Sequence, residues 1–390
     1  MSYRIINGTV LLDQGAARRI TVDVQGEKID AIDAGGARPA ATVLDAAGLF
    51  VLPGIIDIHG DGFERSLMPR PGVFFDHALA LAETDRLLVS QGITTAYLGL
   101  TVSWEPGLRS LEAGRAVAAA LARMRDQMAS DVRLQIRWET FALDAVDTVT
   151  RWLADEPRPM LAFNDHTTQT LQNRTDPVKL KKWAERSGLS ESQYLALLER
   201  VAARAPDVPE AVSSLAATAR AKGVTMLSHD DRLIETRDYY RGLGATVAEF
   251  PLTLAVIEEA RARGEQAVLG APNVLRGGSH IAALDAADMV EAGLCTVLAS
   301  DYYYPSQLAA AFKLIRERRI ALDKVWPLVS RNVAQAAGLE DRGVIAPGRR
   351  ADLVIVDPDG RAGPLIVATI VGGQLRYLTR NIVQRIGAQS

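Results

Sequence analysis

The chain has 390 residues, 48% of them hydrophobic and 23% charged, a composition that suits a globular protein with one large domain and a smaller one. A formal net charge of -3 gives no basic footprint for nucleic acid, and a single cysteine, Cys295, excludes an intrachain disulfide. No apolar run approaches the ~20 residues that span a bilayer, and the first residues lack the apolar core of a signal peptide, so a cytoplasmic protein with no membrane partner is expected.

In chain order, residues 3 to 50 read as short strands broken by turns: Tyr3 to Ile6, Thr9 to Leu12, Arg19 to Val24, Lys28 to Ile32 and Ala41 to Asp45. Asn7-Gly8 is the strongest two-residue turn signal, and Gln25-Gly26 and Gly35-Gly36 are weaker ones. The far end matches this beginning. Gly343 to Ile345, Ala351 to Val356, Leu365 to Val371 and Gln374 to Tyr377 again read as strands, separated by Pro-Gly and Gly-Gly turns. Neither piece buries enough apolar surface to stand alone. Residues 1–52 and 339–390 are therefore expected to pair into one small β-sandwich.

Between them, residues 53–338 alternate apolar strands with amphipathic helices, the pattern of a parallel α/β fold. Eight strands are predicted, at 55–61, 92–99, 134–139, 160–165, 223–229, 245–251, 267–273 and 295–301, and eight implies a closed (β/α)8 TIM barrel. Helices are predicted over Asp76 to Gln91 and Leu108 to Met128, with Gly92 placed to end the first. The connection after strand 4, residues 167–222, is far longer than a barrel needs. It holds Pro177 to Arg186, stopped by Ser187-Gly188, and then the capping-box pattern Ser190-Glu191-Ser192-Gln193 opening a helix through Arg204. Such an insertion lies on the C-terminal face of a barrel, where lids and specificity elements sit. Its Arg174, Lys179, Lys181 and Lys182 are read either as contacts to an anionic substrate or as a solvated helix face.

The strand tips carry the chemistry. Strand 1, Ile55-Ile56-Asp57-Ile58, ends in His59-Gly60-Asp61, and residues two apart on a strand project from one face. Strand 3 ends in Glu139, strand 4 in Asp165-His166, strand 5 in His229-Asp230-Asp231 and strand 8 in Asp301. Of five histidines, His59, His166 and His229 fall at strand ends and His280 closely follows strand 7, whereas His77 reads as a residue near a helix cap. Imidazoles and carboxylates on one rim without cysteine suit one or two divalent ions, zinc first, with manganese or iron(II) as alternatives. The candidate ligands are His59, Asp61, Glu139, His166, His229 and Asp301, with the choice between Glu139 and His166 left open. Asp230 or Asp231 would orient His229 from behind.

Taken together, Pro53-Gly54-Ile55-Ile56-Asp57-Ile58-His59, the terminal β module and the strand-8 aspartate resemble the amidohydrolase superfamily. Within it, Met68-Pro69-Arg70-Pro71, Ser228-His229-Asp230-Asp231, Ala248-Glu249-Phe250-Pro251, Gly270-Ala271-Pro272-Asn273, Arg276-Gly277-Gly278-Ser279-His280 and Ser300-Asp301-Tyr302-Tyr303 resemble the diphosphatase family of the carbon–phosphorus lyase pathway. The resemblance spans nearly the whole chain. It implies a metal-dependent hydrolase that cuts α-D-ribose 1-methylphosphonate 5-triphosphate to the 5-phosphate and diphosphate, with Asp301 as ligand and proton shuttle. The wider superfamily's alternatives are cyclic amide hydrolysis and deamination. It also implies that Glu249 stands where many relatives carry a strand-6 histidine, and that Glu139 is the bridging candidate, since the strand-4 tip has no lysine. Loops after strands 7 and 8 of barrels often bind phosphate, so Arg276, Gly277, Gly278 and Ser279 are expected to hold the polyphosphate. Arg65 and Arg70 would complete the cradle, and His280 would serve as proton donor or substrate contact. A homo-oligomer is expected.

Overall fold

The computed structural model describes residues 2–13, 15, 17–33, 42–278 and 284–380. Seven strands precede the barrel: β1 (Ser2–Ile6), β2 (Thr9–Leu11), β3 (Ala17–Arg19), β4 (Val22–Gln25), β5 (Lys28–Ile32), β6 (Thr42–Asp45) and β7 (Phe50–Pro53). Three follow it: β16 (Leu353–Asp357), β17 (Leu365–Val371) and β18 (Gln374–Leu378). They form two sheets, ordered β5-β4-β1-β6 and β18-β17-β16-β7-β2-β3. The second sheet joins the chain ends through β7, which pairs antiparallel with β16 and parallel with β2. Alternate residues of both sheets meet in one apolar layer that includes Ile5, Val22, Leu44, Val51, Ile355 and Val367. Residues 19–24, predicted as one strand, are split at Ile20-Thr21, because β3 and β4 belong to different sheets. Residues 343–345 are not a strand.

The barrel comprises eight parallel strands in chain order: β8 (Ile55–Gly60), β9 (Ile93–Val102), β10 (Asp131–Glu139), β11 (Met160–Asn164), β12 (Met226–His229), β13 (Val247–Glu249), β14 (Gln266–Gly270) and β15 (Val297–Ala299). The first and last strands meet at a Gly60–Asp301 bridge. There the Asp301 N–H donates to the His59 carbonyl at 2.9 Å and the Asp61 N–H to the Asp301 carbonyl at 2.9 Å. Asp57, fully buried, adds a side-chain staple by accepting from the Ser300 N–H at 3.0 Å and from its hydroxyl. Inward residues such as Ile56, Ile58, Met160, Leu227 and Val268 fill the lower barrel. Opposite-facing residues such as Leu98, Ile136 and Leu161 pack against the helices. Towards the C-terminal tips the inward positions turn to imidazoles and carboxylates, which concentrates the metal-type ligands on one rim.

Helix boundaries follow local capping. Helix α1 (His77–Ser90) starts where Asp76 accepts the Leu79 N–H, so His77 is its first residue. It ends at Gly92, whose φ of +77° only glycine adopts freely. Helix α2 (Leu111–Met124) is shorter than predicted because Ser110 caps it. In the insertion, α3 (His166–Gln172), α4 (Pro177–Ser187), α5 (Glu191–Ala202) and α6 (Val208–Ala221) follow one another. Asp176 caps α4, Gly188 ends it in the left-handed region, and the capping box of Ser190 and Gln193 is complete. The end of predicted strand 7 differs most: residues 271–276 form helix α7 (Ala271–Arg276), with Pro272 in the first turn and Gly277 closing it at φ +74°.

Candidate metal centre

Glu249, at the tip of β13, is fully buried and accepts from two imidazoles at once. Its Oε1 lies 2.9 Å from Nδ1 of His59 and 2.5 Å from Nε2 of Gln135, and its Oε2 lies 2.8 Å from Nδ1 of His229. This network assigns a proton to each Nδ1, so each Nε2 lone pair is left for the mouth of the barrel. Burial alone would raise the Glu249 carboxyl, yet the two imidazoles hold it well below the usual carboxylate range. Burial also disfavours charge on both rings. At His59 the Glu249 carboxylate outweighs that effect and the pKa rises, whereas at His229, with Arg137 beside it, the pKa falls. The two rings stack at 5.5 Å, and Phe250 packs edge-on against both.

Two groups of ligand atoms, each lying within 4.8 Å of one another, face the mouth: His59, Asp61 and Asp301 form one, and His166, His229 and Asp230 form the other. Burial pushes the Asp301 carboxyl up to about 6, Asp61 adding to it and His59 pulling the other way. Burial likewise opposes charge on Asp230, yet His229 and His166 hold it at about 2. His166 touches Glu139 at 3.2 Å and Asp230 at 3.7 Å, and these carboxylates lift its pKa to about 9 against the effect of burial. Glu139 lies outside both groups. Its oxygens accept from the Thr167 N–H and hydroxyl at 2.9 and 2.7 Å, at the N-terminus of α3. The donor set fits one or two divalent cations: imidazoles whose Nδ1 atoms face carboxylates, further carboxylates, and buried polar atoms of Thr101, Gln135 and Asn164 that find no partner among the described residues. His59, His229, Asp61 and Asp301, with Asp230 and His166, would hold the ions. Their role would be to polarise a phosphoryl or carbonyl oxygen and to acidify water.

Two expectations about supporting residues change. Asp231 faces away from His229. It accepts from the Ser228 hydroxyl and lies 3.9 Å from the fully buried Arg237, so the residue that orients His229 is Glu249. Asp230 is on the opposite side of the ring, 3.6 Å from Nε2, as a ligand would be. The sequence reading also passed over Arg137. Its Nη2 lies 3.2 Å from Nε2 of His229 and its Nη1 3.4 Å from Asp61. Gln135, Arg137 and Glu139 continue the alternation that Asp131 and Arg133 begin on the same strand, a period-two signal that could have revealed them. Asp230 and Phe250, directly after β12 and β13, and Asp301, two residues beyond β15, have φ of +59°, +52° and +56°. Non-glycine residues there cost on the order of 1–3 kcal/mol each, and such strain clusters at functional sites.

The centre opens into a cavity of about 740 Å³. Its floor is the imidazole and carboxylate rim; its upper wall carries Arg109, Lys179, Lys182, Arg186 and Arg232, with Trp104 and Trp183. Arg109 is held by Glu64 at 2.9 Å and Arg186 by Glu105, which Tyr194 of α5 also contacts at 2.7 Å. Lys182 and Arg232 have no ion-pair partner among the described residues. Lys179 and Lys182 line the cavity, whereas Arg174 and Lys181 do not. Nor do the expected cradle residues Arg65, Arg70 and Arg276. All three are exposed; Arg65 lies 5.7 Å over the Tyr302 ring, and Arg276 ends α7, where Gly277 serves as a helix terminator. Gly278 follows at φ +135°. Ser279 and His280 lie outside the described residues.

An eight-stranded barrel with a rim of this kind defines a metal-dependent hydrolase scaffold. The Amidohydro_3 amidohydrolase family matches residues 266–377. The chain is 31% identical to α-D-ribose 1-methylphosphonate 5-triphosphate diphosphatase of Escherichia coli (strain K12) over 358 residues, 90% of this chain and 94% of that protein. It is 25% identical to adenine deaminase of Methylobacterium nodulans over 90% of this chain and 55% of that one. An amidohydrolase structure from a Sargasso Sea environmental sample superposes with a TM-score of 0.68 at 17% identity, covering 98% of this chain and 96% of that one. This chain belongs to the amidohydrolase superfamily, on the branch that includes the Escherichia coli diphosphatase. No helix among the described residues is long and apolar enough to cross a membrane.

Proposed function

We propose that this protein is a phosphoanhydride hydrolase that cleaves α-D-ribose 1-methylphosphonate 5-triphosphate, or a close analogue, to the 5-phosphate and diphosphate in phosphonate catabolism. The observation that carries the reading is the two-level charge of the cavity. Metal-type ligands form the floor, and Lys182 and Arg232 above them, which have no ion-pair partner among the described residues, are available to a polyanion. The diphosphatase relative, aligned over most of both chains, supports the same choice. A divalent ion held by His59, Asp61, Asp301, His229 and Asp230 would supply the acidification of water, whose pKa a metal lowers from ~15.7 towards ~7. Asp301, on the rim with His59 and Asp61, accepts the proton of the attacking water. The water oxygen bonds to the α-phosphorus, the bond to the α–β bridging oxygen breaks, and diphosphate leaves towards Lys182 and Arg232, its bridging oxygen taking the proton held by Asp301. Hydrolysis in oxygen-18 water tests this. Label in the sugar phosphate is expected; label in diphosphate places attack at the wrong phosphorus. Turnover of cyclic amides or adenine with none of triphosphates would replace the reading with that of the deaminase-like relatives.

A further inference from the structure

We infer that Arg137 is a phosphoryl-binding residue that the metal releases for use, so that metal and a tetrahedral anion bind this site cooperatively. The proposal rests on the metal reading of the rim, but not on the identity of the triphosphate. Arg137 is 5% exposed and lines the cavity. Its two terminal nitrogens are occupied by Nε2 of His229 and by Asp61, and its Nε finds no partner among the described residues. Nε2 of His229 is the nitrogen left for an ion, since Nδ1 is committed to Glu249. Asp61 likewise belongs to a ligand group. An ion on these residues therefore takes both partners from a guanidinium that stays buried.

A buried charge without a partner is costly, so Arg137 needs a replacement anion. Asp61 lies 3.4 Å from Arg137, Asp230 and Asp301 feel its charge, and all three are themselves ligand candidates. A phosphoryl group entering from above supplies what is missing, and the planar guanidinium fork matches its oxygens. By linkage, metal must then strengthen phosphate binding as much as phosphate strengthens metal binding. A purely structural Arg137, which only orients Asp61 and His229, makes the opposite demand: its loss would weaken the metal site.

Calorimetric titration of inorganic phosphate into metal-free and zinc-loaded protein, with metal affinity measured by chelator competition, separates the two. In Arg137→Gln, zinc affinity is expected to be unchanged or higher, because a competitor for Nε2 is gone. Phosphate affinity of the zinc-loaded variant should fall about tenfold, within the usual range for coupled sites. Arg137→Lys, which keeps the charge but not the fork, should recover part of that loss, and it provides the readout if the glutamine variant does not fold. A fall in zinc affinity in the folded variants, or unaltered phosphate binding in loaded Arg137→Gln, overturns the proposal. Neither readout uses a triphosphate or turnover, so a failure of the proposed substrate leaves this result standing.

Discussion

At the residue scale, one carboxylate serves two imidazoles. Glutamine at position 249 would offer a single carbonyl and an NH2 group to two Nδ1–H donors and the Gln135 amide, so at least one ring would lose its tautomer or its orientation. Glu249→Gln is expected to reduce metal affinity by about 10- to 100-fold, the usual effect of removing a group that orients a ligand. Chelator competition checks it, and native-like affinity would show that Glu249 is only packing. Asp301 calls for a different outcome. Asp301→Asn keeps the backbone bridge that joins β15 to β8 but removes the proton acceptor, so circular dichroism should be unchanged while kcat falls by roughly 10²- to 10⁴-fold. His59, His166, His229 and Asp301 could be read from the sequence because charged or imidazole side chains ended apolar strands. Glu249 could be placed only by resemblance, and its double acceptance depends on three strands meeting, which no single segment encodes.

At the element scale, helix α4 supplies the upper wall. Glu105, in the loop after β9, binds Arg186 near the end of α4 and Tyr194 of α5, and Trp183 stacks on Tyr194 at 6.2 Å, so the insertion is fixed to the barrel. That contact turns Lys179 and Lys182 inward. Lys182→Ala and Arg232→Ala should each raise KM for a triphosphate about tenfold, consistent with one hydrogen bond to a charged group, while Arg276→Ala leaves it unchanged. Steady-state kinetics of the three variants decides, and an effect confined to Arg276 would return the anion to the loop after β14. A second element-scale feature is structural. Arg237, fully buried in the helix after β12, donates to Glu265 at 2.8 and 3.0 Å, ahead of β14, and Arg241 donates to the same carboxylate. Burial opposes ionisation of Glu265, but the two guanidinium groups hold its pKa below the ordinary 4.5. A depressed folded-state pKa contributes stability above the unfolded value and withdraws it as pH falls through the folded one. Native protein should therefore lose stability on acidification below about pH 4.5 more steeply than Glu265→Ala, which is already destabilised by about 3–5 kcal/mol at neutral pH. Denaturant melts at pH 7 and pH 4 test this, and parallel losses in both proteins would exclude the pair as the source.

At the scale of the whole molecule, the chain ends hold each other. Val51 and Val10 share a core with Ile355, Val367 and Ile370, and β7 is the strand between the two halves of the sheet. A chain ending at residue 352 would expose that face, and β7 would lose its antiparallel neighbour next to the strand that carries His59. Such a truncation should not yield soluble, folded protein; a monodisperse product binding metal as tightly as the full chain would show the barrel to be independent. The repeating strand and helix pattern was local, and so the eight-stranded order was legible from hydropathy alone. The turn chemistry of Asn7-Gly8 and the capping box of Ser190 and Gln193 were local too, because caps act within one turn of chain.

The sequence by itself determined the barrel, the terminal β module and the rim positions of His59, Asp61, His166, His229 and Asp301, because each follows from hydrophobic period or from a polar residue ending an apolar strand. Tertiary structure alone decided which cations face the cavity. Arg276 and Lys182 are equally basic in the sequence, but α7 ends with Arg276 turned to solvent, while the Glu105 contact holds α4 over the mouth. It also decided that Arg137 stands between His229 and Asp61. Residues from β10, β12 and the end of β8 become neighbours only when the sheet closes, and that closure is a long-range event that no local period records.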